Sequence, residues 1–270
     1  MQQNLCKTCG GNLYRVGNHY VCQSCGNKWS ADAADDVHVV DRANAWAALR
    51  DGDFDHAAEL FEIILEKEPK DHEAFWGLAL AGAGIQYVMD MDELKRVPTC
   101  HNIDEREFLN SKNVQRAIEE APSEIASVYR QQAEQIERIR QVWREKARKE
   151  EPYDVFLSYK ESDSETGERT RDSEDAYVLY QKLTQKGYRV FFSRESLKKL
   201  ISEQFEPYIY NAIKTAKVMI VFGERPEHFN ATWIRNEWSR FKHRIDNGEK
   251  HPNSLIMVTK NMNPKDLPAS

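Results

Sequence analysis

The sequence predicts an α/β protein: a parallel sheet covered by helices in the C-terminal part, preceded by an all-α helical segment and a small metal-binding ribbon. Three observations carry this. Four of the five cysteines crowd into residues 6–25, apolar residues recur at helical spacing between 38 and 150, and beyond Pro152 short apolar runs alternate with helical stretches. At 270 residues the chain has room for two or three small domains and a real core. Apolar residues make up 40% and charged residues 30%, which excludes a disordered or fibrous chain. The net charge of −6 gives no global attraction for nucleic acid or an anionic membrane, and no local basic patch of size replaces it. No run approaches the roughly 18–20 apolar residues of a membrane span. The opening residues lack the apolar core of a signal peptide, so the expected location is cytoplasmic.

The ribbon is expected over residues 1–30. Cys6-x-x-Cys9 and Cys22-x-x-Cys25 are separated by twelve residues. Two thiol pairs on two tight turns supply four soft ligands for tetrahedral zinc, and Gly10 and Gly26 follow the pairs where such a turn needs positive φ. Leu13–Val16 and His19–Val21 flank Gly17-Asn18, a two-residue hairpin turn that brings the two knuckles together. The rivals are a disulfide pair and a redox Cys-x-x-Cys. A reducing cytosol speaks against the first, and the lack of a surrounding βαβ pattern against the second. A segment this short builds no core of its own, so the zinc is expected to be structural. Lys7, Arg15 and Lys28 face no acid in residues 1–30, yet four thiolates around a dication return two negative charges. Cys100 reads as a buried or idle thiol.

Residues 31–37 read as an acidic linker or helix entry, and 38–150 as helices only. Trp46, Ala48 and Leu49 form one apolar face, and Ala57, Ala58, Phe61, Ile64 and Leu65 the next, with Gly52 between them and Pro69 as the stop. Asp41–Pro69 resembles a tetratricopeptide unit, and Phe75, Leu78 and Ala79 would open a second. One and a half units are fewer than the roughly three a solenoid needs, and a protein partner of unspecified kind is the expectation for this segment. Gly82-Ala83-Gly84 follows a helix and lacks the third glycine of a dinucleotide loop. A longer helix is expected from Pro122 through Ile125, Tyr129, Ala133, Ile136, Ile139, Val142 and Trp143, with Glu and Arg on its other face. It dissolves into a charged junction before Pro152.

The last segment, 153–270, shows strands at Val155–Leu157, Tyr188–Phe192, Val218–Phe222 and Leu255–Val258. Their continuous apolar character fits a parallel sheet buried on both faces. One covering helix is expected to be capped near Ser173 and to end at Gly187. A second carries Ile201, Phe205, Ile209 and Ile213. No Gly-x-Ser-x-Gly elbow, phosphate loop or paired zinc-binding histidines occur, which leaves hydrolase, kinase and metalloprotease readings without a basis.

Tyr153-Asp154-Val155-Phe156-Leu157-Ser158-Tyr159-Lys160 resembles the opening motif of Toll/interleukin-1-receptor (TIR) domains. Gly187–Phe192 is similar to the second strand of that family, Ser193–Ser202 to the loop after it, Ala216–Gly223 to the third strand, and Trp233–Phe241 to the tryptophan-bearing helix. With a zinc ribbon and helical segment ahead, the whole chain resembles a bacterial subgroup. The resemblance implies a flavodoxin-like parallel sheet. It further implies one of two roles: an enzyme cleaving NAD at the nicotinamide–ribose bond, as hydrolase or cyclase in signalling or antiphage defence, or a non-catalytic scaffold. Self-association through the TIR domain is implied in either.

On that resemblance Glu195 is the candidate catalytic carboxylate, because breaking the bond creates an oxocarbenium-like ribose that a carboxylate stabilises. Ser158, Tyr159, Lys160, Arg169, Asp172 and Trp238 are the candidate substrate-binding residues: Ser158–Lys160 follow the first strand, at the carboxyl end where open α/β sheets bind ligands, Lys160, Arg169 and Asp172 are expected to line the cleft, and Tyr159 and Trp238 to stack on nicotinamide or adenine. An alternative alignment puts the glutamate at Lys198, and the loop holds Ser202 or its neighbours where the family has glycine. The chain also reaches Ser270 after the fourth strand, before the closing strand and helix usual in the family, so an open sheet edge is expected.

Overall fold

The computed structural model describes residues 5–16, 19–30, 39–90, 95–102, 105–198, 205–260, 262, 263, 265 and 267. The expected hairpin turn at Gly17-Asn18, the linker 31–37, and Ile201 and Ser202 lie outside them. The chain divides into two units, residues 1–146 and 147–270.

The first unit opens with an antiparallel sheet of β1 (Leu13–Val16), β2 (His19–Cys22) and β3 (Lys28–Ser30), in that order. Tyr14 pairs with Val21 and Tyr20 with Trp29. Helices α1 (Val39–Arg50), α2 (Phe54–Lys67) and α3 (His72–Ala83) follow. Gly52, at φ 75°, takes the left-handed turn between α1 and α2. Asp53 caps α2 by accepting from His56 N at 3.3 Å, and Asp71 caps α3 by accepting from Ala74 N at 2.9 Å. The apolar faces meet around fully buried Trp46, Phe54, Phe61, Ile64, Trp76 and Leu80. A Cβ at Gly77 would lie 2.2 Å from Phe61 Cζ, so the closeness of α2 and α3 depends on that glycine.

The expectation of helices alone fails after α3. The left-handed Gly84 (φ 60°, ψ 43°) ends the helix, and β4 (Ile85–Asp90) pairs antiparallel with β5 (Lys95–Cys100). Ile85, Tyr87 and Val88, with Pro98 and Val97 opposite the last two, are β-branched, aromatic or helix-breaking residues that fit a pleated ribbon better than a helix. Then come α4 (Lys112–Glu120) and α5 (Ser123–Lys149). The expected α5 stripe is buried at Ile125, Tyr129, Ala133, Ile136 and Trp143, but Val142 is exposed. Its charged face is not simply solvated. Buried Glu137 accepts from Phe108 N at 2.7 Å and from Arg144 at 2.7 Å.

The second unit is a parallel sheet of β6 (Val155–Ser158), β7 (Val190–Phe192), β8 (Val218–Phe222) and β9 (Leu255–Val258), in the flavodoxin-like order β7-β6-β8-β9. Between strands run α6 (Arg171–Gln185), the single turn α7 (Ser193–Ser196), α8 (Glu206–Thr215), α9 (Pro226–Asn230) and α10 (Thr232–Asp246). Val155, Leu157, Val190 and Phe192 pack toward Ala176 of α6. Phe156, Phe191, Met219 and Val221 pack toward α8, α9 and α10, against Ile213, Phe229, Trp238 and Phe241. Two sequence expectations shift. The α6 cap is Thr170, which accepts from Ser173 N at 3.2 Å, and β9 is not buried on both faces, because at the sheet edge Ile256 and Val258 stay exposed.

Candidate functional site

The four ribbon cysteines form a compact tetrad. Their sulfurs all lie within 4.8 Å of one another, with Cys6–Cys25 at 3.7 Å and Cys9–Cys22 at 3.5 Å. A tetrahedron with zinc–sulfur bonds of about 2.3 Å has edges of about 3.8 Å, whereas a disulfide closes to about 2.05 Å. None of the cysteines is disulfide-bonded. The knuckle amides point at the sulfurs: Gly11 N to Cys9 Sγ at 3.4 Å, and Ser24 N to Cys22 Sγ at 3.4 Å. Gly10 (φ 72°) and Gly26 (φ 74°) make the turns that allow this. A metal ion binds these groups as thiolates. The donor set fits a tetrahedral metal ion such as zinc.

In the second unit the carboxyl ends of β6 and β8 adjoin where the chain has crossed to β7 and returned, the position at which such sheets bind ligands. Ser158 ends β6 and donates to Glu237 Oε2 at 2.5 Å, while Trp233 Nε1 donates to Glu237 Oε1 at 2.8 Å. Glu237, only 8% exposed, is pushed up to about 7 by burial, against the two hydrogen bonds that favour its charged form. Trp233 is 42% exposed, so one helical turn links a desolvated carboxyl to the surface. Sequence reasoning passed over this glutamate. Its signal was the spacing Trp233-x-x-x-Glu237, which puts indole and carboxylate on one helix face.

The other expected site residues divide. Tyr159 is buried, stacked on Phe192 at 5.0 Å and bonded to Ser193 Oγ at 2.7 Å, and burial pushes its hydroxyl up to about 12. Lys160 donates to Ser164 Oγ at 2.8 Å, and exposed Arg169 pairs with Glu161 at 3.4 Å. Trp238 belongs to the core, its Nε1 donating to Phe229 O at 2.9 Å. Glu195 sits on α7 and is paired with Lys198 Nζ at 2.6 Å. Lys198 is therefore the direct partner of the glutamate for which the alternative alignment would substitute it.

Asp172 is buried and pairs with His228 Nδ1. The other ring nitrogen accepts from Arg225 at 3.2 Å (Nε) and 3.1 Å (Nη2), and Arg225 reaches Asp163 at 3.0 Å. Burial raises the Asp172 carboxyl, with the His228 contact opposing that rise. This chain clasps the loop after β6 to the loop after β8. Beside it a cavity of about 210 Å³ opens between Asp172, Asp175, Gly223, Glu224 and Lys260. Histidine 228 gave no sequence signal, because its partner is 56 residues away.

Among the described residues no helix is long and apolar enough to cross a membrane. A family model described as TIR domain matches residues 155–269, so a TIR domain is present over the second unit's sheet. Neither the curated proteins nor the solved structures yield a match.

Proposed function

We propose that the TIR domain cleaves NAD at the nicotinamide–ribose bond, with Glu237 rather than Glu195 as the carboxylate that meets the developing positive charge. The observation that carries this is the buried Glu237 carboxyl, held from both oxygens by Ser158 and Trp233 at the carboxyl end of β6. In the reaction the C1′–nitrogen bond breaks, its electron pair leaves with nicotinamide, and the ribose becomes an oxocarbenium ion. A preorganised, desolvated carboxylate stabilises that ion far better than a solvated one. Water or an atom of the same nucleotide then adds at C1′. Glu195 enters the reading as a half-buried acid already paired with Lys198.

The test is NAD consumption by the full chain at high concentration, with product identification. Glu237→Gln is expected to lose at least about 100-fold in kcat, and Glu195→Gln to stay within a few-fold of wild type. Since the acting form is the carboxylate, kcat is expected to rise with pH through about 7. Full activity in Glu237→Gln moves the carboxylate elsewhere. No cleavage in any protein favours the second reading, a scaffold that associates through its TIR domain, for which the exposed Ile256 and Val258 on edge strand β9 speak.

The rest of the chain completes the reading: a structural zinc ribbon at 1–30, a tetratricopeptide-like segment at 38–150 that senses or assembles, and the TIR domain at 153–270, acting in the cytoplasm in signalling or antiphage defence. Zinc, when bound, supplies the cross-link that fixes the two knuckles. Fewer than about one zinc per chain would overturn that part.

A further inference from the structure

The ribbon is docked on the helices of its own unit, and the contacts gather at the two knuckles. Arg50, the last residue of α1, donates to Lys7 O, inside the first Cys-x-x-Cys. Gln132 of α5 donates to Cys25 O at 2.8 Å, inside the second. Arg96 of β5 donates to Tyr87 O at 3.3 Å. Around Gly10, immediately after Cys9, Arg50 Cδ lies 3.7 Å and Arg96 Cζ 3.8 Å from the place a Cβ would occupy. Two guanidiniums from different elements thus converge on one cysteine knuckle.

Two arginines brought together repel, and Arg50 is in addition partly desolvated, which pushes its guanidinium below its ordinary value. Asp51 and the sulfurs of Cys6 and Cys9 act in the opposite direction. Among the described residues neither Arg50 nor Arg96 forms an ion pair with a carboxylate, and both donate hydrogen bonds to backbone carbonyls. Four thiolates around a divalent ion carry two negative charges. Beside Asp51, that centre supplies a further counter-charge, opposite in sign to the two guanidiniums and equal to them in number.

We propose that Arg50 and Arg96 are the charge-compensating residues of the metal centre, so that metal affinity is set by α1 and the β4–β5 hairpin and not by the ribbon alone. This rests on the zinc reading above. Linkage makes it reciprocal: whatever displaces α1 or the hairpin loosens the metal, and metal loading holds those two elements together. Outer-shell partners of this kind are typically worth 10–100-fold in metal affinity.

The experiment is competition for zinc against a chromophoric chelator, on the full chain, with cobalt substitution as a spectroscopic check. Wild type is expected to take one zinc and to give a cobalt tetrathiolate spectrum. Arg50→Met and Arg96→Met should each weaken zinc by about 10-fold or more while the cobalt spectrum keeps its tetrathiolate form. Arg15→Met and Lys28→Met, cations of the same ribbon, should stay within about twofold. Should either Met variant misfold, Arg96→Lys decides: a retained charge should retain affinity within about threefold, and raised salt should weaken wild type more than the Met variants. Equal losses in Lys and Met variants, or in the Arg15 and Lys28 controls, overturn the charge proposal while the zinc reading stands. A wild type that takes neither zinc nor cobalt overturns the zinc reading itself, and the proposal with it.

Discussion

Glu237 binds its proton more tightly folded, at about 7, than unfolded, near 4.5. The native state is therefore favoured at low pH, and stability is lost as pH rises from about 4.5 to about 7, by on the order of 3 kcal/mol. Glu237→Gln removes the ionisation and keeps an acceptor for Trp233. Denaturant melts of both proteins across this range should diverge, the variant becoming the more stable of the two above pH 7. A variant whose pH profile parallels wild type would show that the carboxyl titrates normally. At the same scale, His228→Ala leaves the buried Asp172 without its partner and is expected to cost about 3–5 kcal/mol, measured as a lowered urea midpoint. Glu237 was marked only by its spacing from Trp233, and His228 by nothing in the sequence. The cysteine tetrad was readable from sequence, because its four ligands lie within 20 consecutive residues and the spacing itself encodes the geometry. The Asp172–His228 pair joins two residues that only the folded sheet brings together.

Elements were legible where period and punctuation agreed. The strands β6, β8 and β9 and the helical pair α1–α2 follow directly from apolar runs, with Gly52 between the helices and Pro69 as the stop. The β4–β5 hairpin was not, since Ile85–Asp90 continues the apolar character of the helix before it, and the break is marked only by the left-handed Gly84 and a shift toward β-branched and aromatic residues. Two glycines show how closely elements are packed. A methyl group at Gly77 would meet Phe61 at 2.2 Å, and one at Gly223 would meet Phe229 at 2.2 Å. Gly77→Ala gains helix propensity of about 1 kcal/mol but forces α2 from α3. The expected net loss is about 1–3 kcal/mol, and a melting temperature at or above wild type would refute the close approach.

For the whole molecule, the chain divides into units at residues 146 and 147, and the change of sequence pattern falls at Pro152. What composition left open is how the ribbon is supported. Trp29 of the ribbon packs edge-on against Trp46 at 5.5 Å, and Trp46 in turn against Phe61 at 5.0 Å. The metal-bearing segment is thereby continuous with the core of α1 and α2. Chelation is expected to lower the melting temperature of this unit by at least about 5 °C, followed by calorimetry with and without added zinc. The same tryptophan pair has an optical consequence. Two indoles fixed at 82° to each other and shielded from water form a rigid chiral chromophore, so the near-ultraviolet circular dichroism of the chain carries a signature of the seated ribbon. That signature should fade on stripping the metal while the far-ultraviolet helical signal persists.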